Sequence, residues 1–207
     1  MSDFRYYRPS AFPPVIKNLV IINALVFIAQ LTLDPIFGLT NRLALWPIGT
    51  EEFRPYQIAT HMFTHGFLLH ILFNMLALWM FGRELENRWG PKRFLFFYLV
   101  CGVGAAFAHL GVEYVTGTGA PAIGASGAVM GVLAAFGYLF PNTQLFIMPI
   151  PIPIKAKWAV LGYVAIDLFS GVTGRGDNVA HFAHLGGALT GFILVLIWNK
   201  SGRKRFY

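Results

Sequence analysis

Ser126 opens an apolar stretch that runs to Phe140, and His184 stands near the start of another. His70 and Asn74 lie four residues apart in a third, a spacing that puts both on one face of a helix. A serine hydroxyl is a poor nucleophile until a base takes its proton, and neutral imidazole suits that task. His184 can supply that base. When such a hydroxyl attacks an amide, the carbonyl oxygen becomes negative and needs donors arranged in advance. His70, Asn74 and the backbone amide of Ser126 are candidates for that role. Ser126 also begins a helix, where unpaired N–H groups and the positive dipole end favour an anion.

Each group has a plainer reading. Two polar side chains on one membrane helix are often interhelical hydrogen-bond partners, and glycines at spacings of four are often packing stripes. Gly127 and Gly131 form such a stripe behind Ser126, and Gly187 and Gly191 form another behind His184. Together the stripes predict close approach of the two helices.

The elements that must carry these residues follow from composition. Of 207 residues, 56% are hydrophobic and only 12% charged, and the mean hydropathy is +0.59. That balance is an integral membrane protein's. Apolar runs between charged or Pro/Gly breaks predict six spans, near 16–33, 66–82, 93–115, 126–140, 156–171 and 180–198. The fourth is short. From Ser126 to Phe140 a helix rises about 22 Å against a hydrocarbon core of about 30 Å, which sets Ser126 below the bilayer surface. A hydroxyl at that depth needs a protein partner or a wet cavity.

Height along the membrane normal tests whether the groups can meet. At 1.5 Å per residue, His184 stands about 24 Å above Lys200, Ser126 about 22 Å above Asn142 and His70 about 20 Å above Arg83. The three share a level, with Asn74 about one turn deeper.

The net charge of +7 has a simple account in the distribution of basic residues. Arg5, Arg8, Lys17, Arg83, Arg88, Lys92, Arg93, Lys155, Lys157, Lys200, Arg203, Lys204 and Arg205 fall on one side of the predicted spans, thirteen of the sixteen. Only Arg42, Arg54 and Arg175 fall on the other. The bias predicts both termini in the cytoplasm and makes a nucleic-acid role unnecessary. The first span lacks a small-x-small cleavage pattern and reads as a retained helix. Cys101 is the only cysteine, so no intrachain disulfide is possible. Asp34 to His65 reads as a long interfacial loop rich in aromatic residues, and Pro149–Pro153 as a stiff turn.

Taken together the residues resemble the rhomboid family of intramembrane serine proteases, over about Tyr56 to Trp198. The resemblance is carried by His70-Ile71-Leu72-Phe73-Asn74, Gly124-Ala125-Ser126-Gly127, and His184-Leu185-Gly186-Gly187 with Gly191, in order on the second, fourth and sixth spans. It implies an all-α, six-transmembrane-helix bundle with a long interfacial loop between the first two helices, a single domain over 1–207 with short tails about 1–15 and 199–207. It implies a Ser126–His184 dyad with no required acidic third member, an oxyanion site from His70, Asn74 and the Ser126 amide, and His184 rather than His181 as base. No cofactor and no metal are expected. The partners implied are transmembrane protein substrates and the lipid bilayer, with no nucleic acid, and the membrane expected is a prokaryotic plasma membrane. The alternative is a noncatalytic rhomboid-like protein that binds membrane clients; a small-molecule transporter is a third reading.

The chain departs from the family pattern in two places. Met130 stands where many members carry an aromatic residue against the catalytic imidazole, and Tyr56-Gln57 where many carry Trp-Arg. Glu86 and Arg88 resemble a family Glu-x-Arg element and are expected to pair across a loop. His61 and His65 are expected to satisfy loop backbone groups. They and His109 have no zinc-site spacing, and Asp167 is assigned no catalytic role.

Overall fold

A computed structural model describes residues 9–146, 152–173 and 180–203. It is mostly helical. Six helices of 14 residues or more run in chain order: α1 (Pro14–Phe37), α4 (Leu68–Trp89), α5 (Pro91–Thr116), α6 (Ser126–Leu139), α7 (Ala156–Thr173) and α8 (His181–Arg203). Two short helices, α2 (Leu39–Leu43) and α3 (Gln57–Thr60), and a 3-10 turn over His61–Phe63 lie in the connection between α1 and α4. The all-helical expectation meets one departure. Strands β1 (Gln144–Leu145) and β2 (Ile154–Lys155) pair antiparallel between α6 and α7, where Pro141 follows the end of α6 and cannot continue it. The Pro149–Pro153 turn lies largely outside the described residues, as do much of the two tails and Arg175.

The helix ends follow local chemistry. α1 and α5 both start with proline, whose missing N–H costs nothing in a first turn. Glu86 supplies what α1 lacks: its carboxylate oxygens accept the Val15 and Ile16 amides, each at 2.9 Å, and its negative charge faces the positive end of the helix. Glu86 therefore caps α1 rather than pairing with Arg88, whose guanidinium instead lies over the Phe140 ring at 5.7 Å.

Among the described residues four helices are long and apolar enough to cross a membrane: α1, α4, α5 and α8 up to Lys200. The helix α6 is shorter and apolar, and α7 carries Lys157 and Asp167 among its 18 residues. Large apolar side chains such as Leu25, Leu31, Phe73, Phe107 and Ile166 point outward, the arrangement of a protein whose surrounding solvent is hydrocarbon. The inside is packed by Leu78, Phe94, Phe97, Tyr98, Ala128 and Val132 among others. Between apolar helices in lipid, cohesion comes from close packing and hydrogen bonds rather than from escape from water.

The α1–α4 connection is well tied down. Gln57 is fully buried, and its amide joins four backbone groups: the oxygen accepts Trp46 N–H and Arg54 N–H, and the nitrogen donates to the Arg42 and Glu52 carbonyls. Gln30 of α1 donates to the His65 carbonyl and accepts the His65 amide, each at 3.0 Å.

Candidate active site

Ser126 is the first residue of α6, and the turn that delivers it is pinned from several sides. Leu45 and Ala122 exchange both backbone hydrogen bonds at 2.9 Å, and Gly124 N–H donates to the His61 carbonyl at 2.9 Å. From beneath, His109 Nε2 lies 3.0 Å from the Ala120 carbonyl, while the Glu113 carboxylate accepts from Thr118 and from the Ala120 amide. The long connection and α5 thus hold the strand of chain entering α6. Gly124 has φ +119°, a conformation costly for any other residue, and a Cβ there would come within 2.7 Å of His70 Nε2. That glycine lets His70 sit against the turn beside Ser126.

His184 stands in the first turn of α8, which follows Ala180. Its Nε2 is 2.7 Å from Ser126 Oγ, across 58 residues of chain. The approach depends on the glycine stripes. A Cβ on Gly187 would overlap the Gly127 carbonyl, and one on Gly191 would come within 2.6 Å of the Gly131 carbonyl. α6 and α8 therefore meet nearly backbone to backbone, with Gly127 and Gly131 of one facing Gly187 and Gly191 of the other.

His70 is half-buried on α4, and its Nδ1 accepts the Gly66 amide at 3.4 Å. A neutral imidazole that accepts at Nδ1 carries its proton on Nε2, the atom facing Gly124. Asn74, one turn deeper and buried, donates one N–H to the His70 carbonyl at 3.0 Å and keeps a second. The first helical hydrogen bond of α6 is Val129 N–H to Ala125 C=O at 2.9 Å, so the Ser126 amide precedes the ladder.

The residue that sequence reasoning passed over is Asp167. It lies on α7, buried, with Oδ2 at 3.0 Å from His184 Nδ1 and Oδ1 at 2.7 Å from His181 Nδ1. The sequence did hold a signal. Asp167 is the only acidic residue of α7 and lies about 18 Å above Lys155 on a straight helix, close to the level reckoned for Ser126 and His184. An ionisable side chain at that depth calls for a partner. Asp167, His181 and His184 also offer three ligand atoms within 4.8 Å of one another. A cation there would have to displace the N–H protons that now face the carboxylate.

Other candidates lie outside the Ser126–His184 contact. Met130 packs with Ala134, Ala188, Leu133 and Val164. His61 donates from Nδ1–H to the Gln57 carbonyl at 2.9 Å, as expected of a loop histidine. His65 differs: its backbone bonds Gln30, but both ring nitrogens are buried without a hydrogen-bond partner among the described residues, and its ring stands edge-on to His70 at 5.0 Å. Burial holds both imidazoles neutral, lowering each from the ordinary 6.5 to about 4.

The description "Rhomboid domain" matches residues 52–201. The chain belongs to the rhomboid family. It is 37% identical over 144 residues to the presenilin-associated rhomboid-like protein A, mitochondrial, of Danio rerio, covering 67% of this chain and 37% of that one. It is 34% identical over 145 residues to the rhomboid protein 1, mitochondrial, of Saccharomyces cerevisiae, covering 69% and 42%. The RHOMBOID-like protein 12, mitochondrial, of Arabidopsis thaliana is 28% identical over 209 residues, covering 93% and 60%. The chain thus spans about two fifths of the length of the first two relatives.

These names correct one expectation. A prokaryotic plasma membrane with both termini in the cytoplasm does not stand, because the relatives are named mitochondrial proteins. The physical reason is that span length and lysine/arginine bias sort segments to two sides of a bilayer without saying which bilayer it is.

Proposed function

We propose that this rhomboid-family chain is an intramembrane serine endopeptidase, with Ser126 as nucleophile and His184 as general base and then general acid. The observation that carries the reading is the 2.7 Å approach of Ser126 Oγ to His184 Nε2. In the first step Oγ bonds to the substrate carbonyl carbon, its proton passes to Nε2, and the C=O electron pair moves onto the oxygen. His70 Nε2–H, the second Asn74 N–H and the Ser126 amide are the donors to that oxyanion. The C–N bond then breaks, and the leaving nitrogen takes the proton from His184. Water repeats the sequence on the acyl-enzyme and frees Ser126.

The same reading takes all six long helices as membrane spans of one domain, with the α1–α4 connection at the interface and the Gly127/Gly131 and Gly187/Gly191 contacts holding the two reacting helices together. Its substrates are transmembrane segments. An intact helix hides its carbonyls, so segments weakened by glycine or proline are cut first. The noncatalytic client-binding reading has no observation in its favour, since Ser126 and His184 are both present and within hydrogen-bond reach.

The test is cleavage of a transmembrane peptide by purified protein in liposomes, together with labelling of Ser126 by a fluorophosphonate. Cleavage and labelling are expected in the parent chain and absent in Ser126→Ala and His184→Ala. Cleavage that survives in the serine variant rejects the mechanism.

A further inference from the structure

We infer that Asp167 is a positioning residue, which fixes the tautomer and orientation of His184 so that its Nε2 lone pair faces Ser126. The inference rests on the serine-protease reading above and adds to it an acidic member supplied by α7.

An ionised carboxylate can only accept hydrogen bonds. With Oδ2 at 3.0 Å from His184 Nδ1, that nitrogen must carry the proton, and in the neutral ring Nε2 is then the bare acceptor. Nε2 is the atom at 2.7 Å from Ser126 Oγ. The opposite tautomer would point an N–H at the hydroxyl it has to deprotonate. The carboxylate is held on its other side as well, since Oδ1 lies 2.7 Å from His181 Nδ1. His181, one turn away on α8, therefore steadies the acid, and the acid steadies the base. In the first proton transfer the imidazole gains a positive charge, and the carboxylate opposite Nδ1 offsets it while staying ionised; no proton moves to Asp167.

The surroundings leave that role to Asp167. The titratable and polar side chains near this cluster include Ser126 from α6, His70 from α4, His181 from α8 and Tyr163 from α7. The ionisable groups of α5 in the same half, His109 and Glu113, are bonded to Ala120 and Thr118 instead. Asp167 is also one of only two buried residues on α7, the other being Ala156 at its start. A lone acid turned inward from a helix that otherwise shows lipid its apolar side chains is costly unless the group is used.

The experiment compares the parent chain with Asp167→Leu, Asp167→Asn and Asp167→Glu in liposomes, reading kcat and KM on a transmembrane peptide and the fluorophosphonate label on Ser126. Leucine replaces the carboxylate by hydrocarbon of similar bulk, so folding is expected to survive. The expected result is a kcat lower by about 10²- to 10⁴-fold in Asp167→Leu, with KM within about threefold of the parent. Asparagine, whose single oxygen can serve only one imidazole at a time, falls between, and glutamate restores part of the rate. A folded Asp167→Leu with kcat within about threefold of the parent overturns the inference. A second measurement needs no variant. In the parent chain labelled with ¹⁵N-histidine, neutral His184 is expected as the Nδ1–H tautomer by NMR, and an Nε2–H tautomer overturns the inference even if every Asp167 variant fails to fold. Failure of the parent to cleave or to take the label would count instead against the serine-protease reading itself.

Discussion

The helices α6 and α7 are neighbours in the chain and are held by different physics. Ten of the 14 residues of α6 are buried, and it packs against α4, α5, α7 and α8. α7 is longer, at 18 residues, yet buries only Ala156 and Asp167. Its large side chains Leu161, Ile166, Phe169 and Val172 point outward. Ser126, the proposed nucleophile, is therefore positioned by packing, where a misplaced methyl has no room. The acid is positioned by hydrogen bonds, on a helix that lipid can flank without penalty. The tighter packing thus belongs to the helix that carries Ser126, and the looser to the helix that carries Asp167.

That contrast can be sharpened from its strongest consequence downward. Ser126→Ala should lower kcat by at least about 10⁴-fold in a peptide-cleavage assay, with the thermal melt unchanged, because α6 loses one oxygen and no packing. Next come the proposed oxyanion donors: His70→Ala and Asn74→Ala should each lower kcat by about 10²- to 10³-fold, with KM little moved. A loss confined to KM would place them in substrate binding instead.

Stability should divide the two helices in the same way. Gly187→Ala puts a Cβ into the Gly127 carbonyl and should cost about 3 kcal/mol in denaturant unfolding from detergent micelles. On α7, Val172→Ala, at a side chain 71% exposed, should change the same measurement by less than about 0.5 kcal/mol. Equal effects at the two positions would break the comparison.

A smaller effect concerns pH. His61 and His65 take up protons less readily in the folded chain, near pH 4, than at the ordinary 6.5. Their contribution is therefore complete above about pH 6.5 and declines as the pH falls toward 4, since the unfolded chain then binds protons that the folded chain refuses. Melting temperatures measured across that range should drop, and His61→Gln should flatten the slope. A melting temperature that rises on acidification would show that these rings are not buried as neutral groups.

Much of the scaffold was legible in the chain itself. Apolar runs near 66–82 and 93–115 correspond to α4 and α5, because charge and Pro/Gly breaks end membrane helices as surely as they end hydropathy runs. The helical period also put His70 and Asn74 on one face. The structure adds that Asn74 donates to the His70 carbonyl, a contact their i, i+4 spacing allows. Glu86 was misread because its partners, the Val15 and Ile16 amides, lie some 70 residues away. Spacing near Glu86 offered only Arg88. His65 was misread for a related reason: the sequence shows a loop histidine, while the absence of a ring hydrogen-bond partner among the described residues depends on what α1 and α4 bring around it.

From residue order alone came the membrane class and the order of the helices, with an expected depth for Ser126, His184 and His70, because rise per residue and the cost of polar groups in lipid act along a single helix. Rotation and proximity between helices lie outside that reach. Which face of α7 turns inward, and so whether Asp167 meets lipid or the two imidazoles of α8, is settled only when α6, α7 and α8 pack. Depth is a property of each segment by itself, whereas a 3.0 Å contact between Asp167 and His184 belongs to two of them at once.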